Sequence, residues 1–314
     1  MIDHQIWTIV AVVSVPLVLA TVVGEGLVRR ADTPTSVQRA KRLRARIRSW
    51  WWMIAAMLGF LSLGVPGILG FFGIVSLLAM RELVTLVPSR RADHGMLVLS
   101  FFVAVPVQYG LIWLDWYGLF AVFVPVWALL AVSIGVAMQG DADRFLHRIA
   151  AIHYALLVGV YCISHAPGLL LLTIPGYEGQ EYKLLAFLVV VTQASDVLQY
   201  LFGKAFGRHA LMPSLSPDKT VEGMVGGVLS ATVVGALLTP LTPFGLGETT
   251  ALAFFVVNAG WLGGMVMSAI KRDAGVKDYG AFIDGHGGVL DRVDSLVFAA
   301  PALFHVVRWL HSTT

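Results

Sequence analysis

The chain has 314 residues, of which 57% are hydrophobic and only 13% charged, about half the charged share of an ordinary soluble domain. With a mean hydropathy of +0.79, this composition excludes disorder and leaves too little polar surface for a soluble fold. Long, largely apolar runs such as Ala186–Leu198 and Gly223–Leu238 are unlike the roughly ten-residue alternating strands of a membrane barrel, so the expected class is an all-α polytopic integral membrane protein.

Taken in chain order, hydrophobic helices are predicted near 5–28, 50–63, 66–87, 95–114, 116–138, 149–173, 184–203, 221–240, 249–270 and 293–311, about ten in all. The first is not a typical signal peptide, because its basic residues follow the apolar run. The second is short and is separated from the third by Pro66 and Gly67. The sixth contains Cys162, the single cysteine of the chain. One cysteine excludes an intramolecular disulfide and a multi-cysteine metal site, and within an apolar stretch it is read as a small buried hydrophobe.

The basic residues sort by loop. The segment 29–49 and the loops after the third, fifth, seventh and ninth helices hold 19 of the 22 Lys and Arg. If ten helices alternate, all five of these segments face one side, and the positive-inside rule makes that side the cytoplasm. The same rule accounts for the net charge of +3 and the pI near 9.1 without nucleic acid. Basic segment 29–48 is read as a stop-transfer element that meets anionic headgroups. Two regions are expected: an N-terminal membrane helix with its basic cytoplasmic loop (1–49), and one membrane domain (50–314).

Two of these segments are chemically unlike the rest. In Ser268–Asp294 there are nine charges in 27 residues, with acids and bases interleaved. That mixture suits a metal–polyphosphate site, since carboxylates hold hard cations while Lys and Arg neutralise phosphate oxygens. Asp291 and Asp294 share a helix face by their spacing; they can bind one or two cations, or they can be a solvated helix start. His286-Gly287-Gly288 allows close backbone approach to a ligand, and His286 can equally be a turn histidine bonded to backbone. In Ser195–Gly223, Ser216, Thr220 and Glu222 suit capping of the next helix. Lys219 suits it less, because a cation is unfavourable at a helix N-terminus unless an anion is bound there. Asp196 lies within an apolar helix, where a carboxylate is either functional or held by an internal partner.

These segments resemble the phosphatidate cytidylyltransferase (CDP-diacylglycerol synthase) family. The resemblance rests on Ser268, Ile270, Lys271-Arg272, Lys277-Asp278, Gly280, Ile283, His286-Gly287-Gly288 and Asp291-Arg292-Val293-Asp294. Upstream, Asp196, Tyr200, Gly203-Lys204, Phe206-Gly207, Ser216-Pro217 and Lys219 through Gly223 look like the family as well. There are two departures. Asp284 stands where the family usually has Pro or Gly, and Gln199 where the commoner enzymes have Ala, as in a paralogous branch.

The resemblance implies transfer of CMP from CTP to phosphatidate, giving CDP-diacylglycerol and pyrophosphate. It implies Mg²⁺, with a second metal ion as an extension, held by Asp278, Asp291 and Asp294 with Asp196 as a fourth ligand. It also implies that Lys219, Lys271, Arg272 and Lys277 engage CTP or lipid phosphate, with Arg292 beside them, and that Ser216, Ser268 and His286 are polar contacts. Asp278, Asp291, Asp294 and Lys219 are the expected catalytic set. The implied partners are CTP, phosphatidate or a related lipid phosphate, the bilayer and a second copy of the chain, without nucleic acid. The implied location is a bacterial inner membrane with the site facing the cytoplasm. CTP-dependent transfer to another lipid phosphate or a polyprenol is the alternative. A transporter fits less well, since most acids lie in loops and helix ends rather than at the midplane.

Overall fold

The computed structural model describes residues 34–86, 93–280 and 287–312, together with seven positions between 14 and 29. In hydrocarbon every backbone N–H and C=O must be satisfied within its own segment, so the apolar runs fold as helices. In chain order these are α1 (Pro34–Leu61), α2 (Gly64–Leu86), α3 (His94–Trp113), α4 (Tyr117–Ala137), α5 (Phe145–Leu171), α6 (Tyr182–Phe206), α7 (Val221–Leu237), α8 (Leu246–Asp273) and α9 (Leu290–His311). Seven of them, α2–α6, α8 and α9, are long and apolar enough to cross a membrane; α7 and the apolar part of α1 are shorter. The protein is an all-α polytopic membrane protein. Nine of the ten expected hydrophobic stretches are described as helices, and the one expected near 5–28 lies outside the continuously described residues.

Local departures have physical causes. Much of the basic stretch expected as a loop is helical, because α1 runs unbroken from Pro34 to Leu61 across the boundary expected at residue 49. Strong helix formers such as Ala, Lys, Arg and Gln fill 38–48. Wider π turns interrupt α3 at Ser100–Ala104, α4 at Phe123–Ala128 and α5 at Leu157–Cys162. Pro125, which has no N–H to donate, sits inside the second of them. Residues expected as plain loop before α7 form a short antiparallel hairpin, β1 (Ala210–Met212) with β2 (Ser216–Thr220).

Helices α6–α9 pack on one another, and α9 also packs against α5 and α2. Between α4, α5 and α9 lies an aromatic core in which the His165 ring sits 4.9 Å from Phe120 and 5.0 Å from Phe304. Contacts between helix ends show the alternation of the chain. At one end Arg148 pairs with Asp93 at 2.6 Å, Arg272 Nε donates to Leu215 O at 3.0 Å, and Glu82 of α2 meets the start of α9. At the other end Tyr177 donates to Leu241 O, and His311 pairs with Glu248. The segments 138–144, 207–220, 274–280 and 287–289 therefore share one end of the bundle.

Candidate active site

That shared end carries the charge cluster. Asp196 projects from α6, Ser216 and Lys219 lie on β2, Ser268, Lys271 and Arg272 lie on the last turns of α8, and Asp291, Arg292, Asp294 and Ser295 open α9. Lys277 and Asp278 are exposed on the loop between α8 and α9. His286 and Asp284 lie outside the described residues.

Within the cluster the carboxylates divide into two groups. Asp196 and Asp294 belong to the first. Ser295 Oγ donates to Asp196, 2.8 and 2.9 Å from its two oxygens, and lies 3.5 Å from Asp294 Oδ1. One hydroxyl thus reaches both half-buried carboxylates. Lys219 and Arg292 act electrostatically on both, and Lys271 acts on Asp294 as well. Lys219 passes close over Gly264 of α8: a Cβ there would lie 3.4 Å from Lys219 Nζ and 3.8 Å from Ser295 Oγ, in ordinary contact, so only a longer side chain would obstruct it. The hairpin therefore delivers its lysine across a bare patch of helix.

Asp291 forms the second group, and its oxygens are committed to the protein. Oδ1 accepts from Lys271 Nζ at 2.8 Å, while Oδ2 accepts the N–H of Tyr279 at 2.8 Å and of Gly288 at 2.9 Å. The Tyr279 hydroxyl in turn donates to Met267 O of α8 at 2.7 Å. Burial pushes the Tyr279 phenol above its ordinary pKa, and the charges of Asp291 and Asp294 push it the same way. It therefore stays protonated and serves as a donor that docks the loop. Asp291 thus anchors the loop between α8 and α9 through Lys271, Tyr279 and Gly288.

Glu82 does similar work from α2. It is buried (8% exposed), and its two oxygens accept the N–H of Val289 and Leu290 at 2.8 Å each. Those are N-terminal donors of α9 that the helix itself leaves unpaired. The adjacent glycines make room for these carboxylates. A Cβ on Gly288 would lie 2.4 Å from Glu82 Oε2, and one on Gly287 (φ +82°) 2.7 Å from Asp291 Oδ2. The close approach expected of these glycines is thus made by the protein's own carboxylates.

At the mouth, Thr220 Oγ1 accepts the N–H of Gly223 at 3.1 Å and caps α7. Glu222 instead reaches back to accept the N–H of Arg208 and His209. Ser268 donates to Gly264 O within its own helix at 2.7 Å. Gln199 bonds Ser195 Oγ at 2.7 Å and packs against Gly227 of α7, where a Cβ would lie 2.3 Å from Gln199 Cγ. Its amide is therefore held within α6, while its stem and backbone make the α6–α7 contact.

Sequence reasoning missed Glu82, Tyr279, Ser295 and Gly264. An acid inside an apolar span was the signal for Glu82, the same signal that singled out Asp196. The other three carry no pattern apart from their partners.

No three acidic, histidine or cysteine side chains are gathered to hold a metal ion among the described residues. Asp196 and Asp294 still offer hard oxygen donors around one point, which fits a divalent cation completed by phosphate oxygens. Asp291 spends three hydrogen-bond directions on the protein, one on Oδ1 and two on Oδ2.

Fold and charge cluster together define an integral membrane protein with its polar chemistry at one end of its spans. The chain belongs to the cytidylyltransferase family, whose sequence profile matches residues 44–310, and is by that membership a nucleotidyltransferase. It is 35% identical over 294 residues to the uncharacterized protein YnbB of Escherichia coli (strain K12), covering 93% of this chain and 95% of that one. It is 42% identical over 128 residues to a phosphatidate cytidylyltransferase of Staphylococcus saprophyticus and 43% identical over 132 residues to one of Staphylococcus aureus (strain COL). Each of these matches covers 40% of this chain and 48% of the enzyme, so the chain spans about half the length of those relatives.

Proposed function

We propose that the protein transfers CMP from CTP to the phosphate of phosphatidate, forming CDP-diacylglycerol and releasing pyrophosphate. The observation that carries this reading is the meeting of Asp196 and Asp294 around Ser295 Oγ, beside Lys219 and within the field of Lys271 and Arg292. It lies at the end of apolar spans, where a lipid headgroup meets water. A phosphate oxygen of the lipid attacks the α-phosphorus of CTP, and the bond to the pyrophosphate oxygen breaks. The attacking group is already anionic, so no side-chain nucleophile is needed. The obstacle is the convergence of several phosphates, which fixed cations lower by electrostatic stabilisation and positioning.

In this reading Lys219, Lys271 and Arg292 face the phosphates from within the cluster. Arg272 and Lys277 receive the triphosphate at the exposed rim, with Ser216 and Ser268 nearby. Asp196 and Asp294 hold Mg²⁺, which when bound supplies charge neutralisation of phosphate oxygens. Asp278 stands at the rim beside Gly287 and can add an oxygen. His286 completes the polar contacts. Asp291 holds the loop and keeps Lys271 in place. The excess of Lys and Arg in segments that share this end supports a cytoplasmic orientation in an inner membrane, the side on which CTP is available.

The alternative acceptor is another lipid phosphate or a polyprenol: the relative matched along 95% of its length, YnbB, has no named substrate, and the phosphatidate enzymes are matched over 48% of each. The test is a panel of lipid acceptors with labelled CTP and Mg²⁺, using the detergent-solubilised protein. Label on phosphatidate is the expected result. Label only on another lipid phosphate or a polyprenol moves the reading to that acceptor, and label on no lipid overturns it.

A further inference from the structure

A second polar cluster lies at the opposite end of the bundle. Arg308, in the last turn of α9, lays its guanidinium on the ring of Tyr117 at the start of α4, with Cζ 3.4 Å from the ring centroid. Tyr117, His305, Arg308 and Trp309 line an open cavity of about 470 Å³, within the usual range for ligand sites. The acids at this end are engaged elsewhere or apart. Glu248 pairs with His311, Glu178 and Glu181 accept the N–H of Gly176 and Gly179, and no ion pair joins Asp115 to Arg308 among the described residues. Arg308 is thus a guanidinium held against an aromatic ring, facing a cavity whose lining holds no carboxylate.

Depth and surroundings point to the occupant. Fourteen residues of α9 separate Arg308 from Asp294, a rise of about 21 Å, so one phosphate cannot serve both ends. Trp309 lines the cavity, and Trp113 and Trp116 flank the turn into Tyr117. They are 83%, 59% and 57% exposed. Exposed tryptophans at helix ends mark the headgroup level of a bilayer. A guanidinium there pairs with phosphate in bidentate fashion, and its stacking on Tyr117 reduces the freedom lost on binding.

We propose that Tyr117, His305 and Arg308 bind the phosphate of an anionic glycerophospholipid in the leaflet opposite the Asp196–Asp294 cluster. The site is independent of the reaction proposed above. Its test uses the full chain in neutral detergent, with added phosphatidylglycerol, phosphatidylcholine or inorganic phosphate. Phosphatidylglycerol is expected to raise the melting midpoint by about 4 °C, with little effect from the other two. Arg308→Gln abolishes the rise, whereas Lys219→Met, at the other end, leaves it. Should Arg308→Gln not fold, Tyr117→Leu removes the stacking platform, keeps the charge, and at least halves the shift. An unchanged shift in either folded variant overturns the site, as does loss of the shift in Lys219→Met. Equal stabilisation by phosphatidylcholine overturns anion recognition, and an equal effect of inorganic phosphate overturns the lipid as occupant.

Discussion

Ser295 Oγ lies between the two oxygens of Asp196, 2.8 and 2.9 Å away, and so ties α6 to α9 across 99 residues of sequence. A hydrogen bond to a charged group contributes about 1.5–3 kcal/mol. Ser295→Ala leaves Asp196 without this donor and free to turn from Asp294. The expected result is a fall of about tenfold in kcat, with Ser295→Thr retaining most of the rate. Full turnover in the alanine variant would show that Asp196 needs no such tether.

The division of the carboxylates predicts opposite stability effects from similar substitutions. Asp294→Asn removes one of two like charges around Ser295, so the metal-free protein keeps or gains thermal stability while CMP transfer is lost. Asp291→Asn leaves Lys271 unpaired, and breaking a buried pair costs on the order of 3 kcal/mol. Its melting midpoint falls along with its activity. Melting curves of the two variants, recorded without Mg²⁺, check the assignment; a stable Asp291→Asn protein would return Asp291 to the metal ligands.

Glu82 touches neither Asp196 nor Asp294 through any hydrogen bond among the described residues, yet it sets where α9 begins. Glu82→Gln turns one acceptor into an amide that meets a buried backbone N–H, leaving two donors face to face at a cost of about 1–3 kcal/mol. Faster hydrogen exchange of the Val289 and Leu290 amides is expected, along with a lower melting midpoint. Glu82→Asp does not rescue it, because the shorter side chain reaches only one of the two N–H groups.

The fold was legible because hydrocarbon imposes length and apolarity on every span, and the charges in the connections then betray which ends meet. The site was legible only as a set of charged residues. Spacing brings Asp291 and Asp294 to one helix face but says nothing of what approaches that face. The structure sends Asp291 to Lys271 and the loop backbone, and Asp294 to the Ser295 hydroxyl beside Asp196. Those partners come from α6, α8 and the α8–α9 loop. The hairpin that carries Lys219 was hidden because Ser216-Pro217-Asp218 has no strand pattern of its own; its pairing with β1 is set by the neighbouring helices.

Lys219 passes over Gly264, where only a long side chain would stand in its way. A Cβ at that position would lie 3.4 Å from Lys219 Nζ, an ordinary contact, so Gly264→Ala leaves the lysine in place and activity nearly intact. Gly264→Leu fills the path with three further carbons and drives the ammonium away from Asp196 and Asp294. The ammonium is worth a charge-assisted hydrogen bond to phosphate, about 1.5–3 kcal/mol, so Gly264→Leu and Lys219→Met should each weaken use of CTP by about tenfold or more in kcat/KM. The double variant should be no worse than either single one, because both remove the same interaction. Additive losses in steady-state kinetics would mean that Gly264 serves the packing of α8 on α9 and not the passage of Lys219.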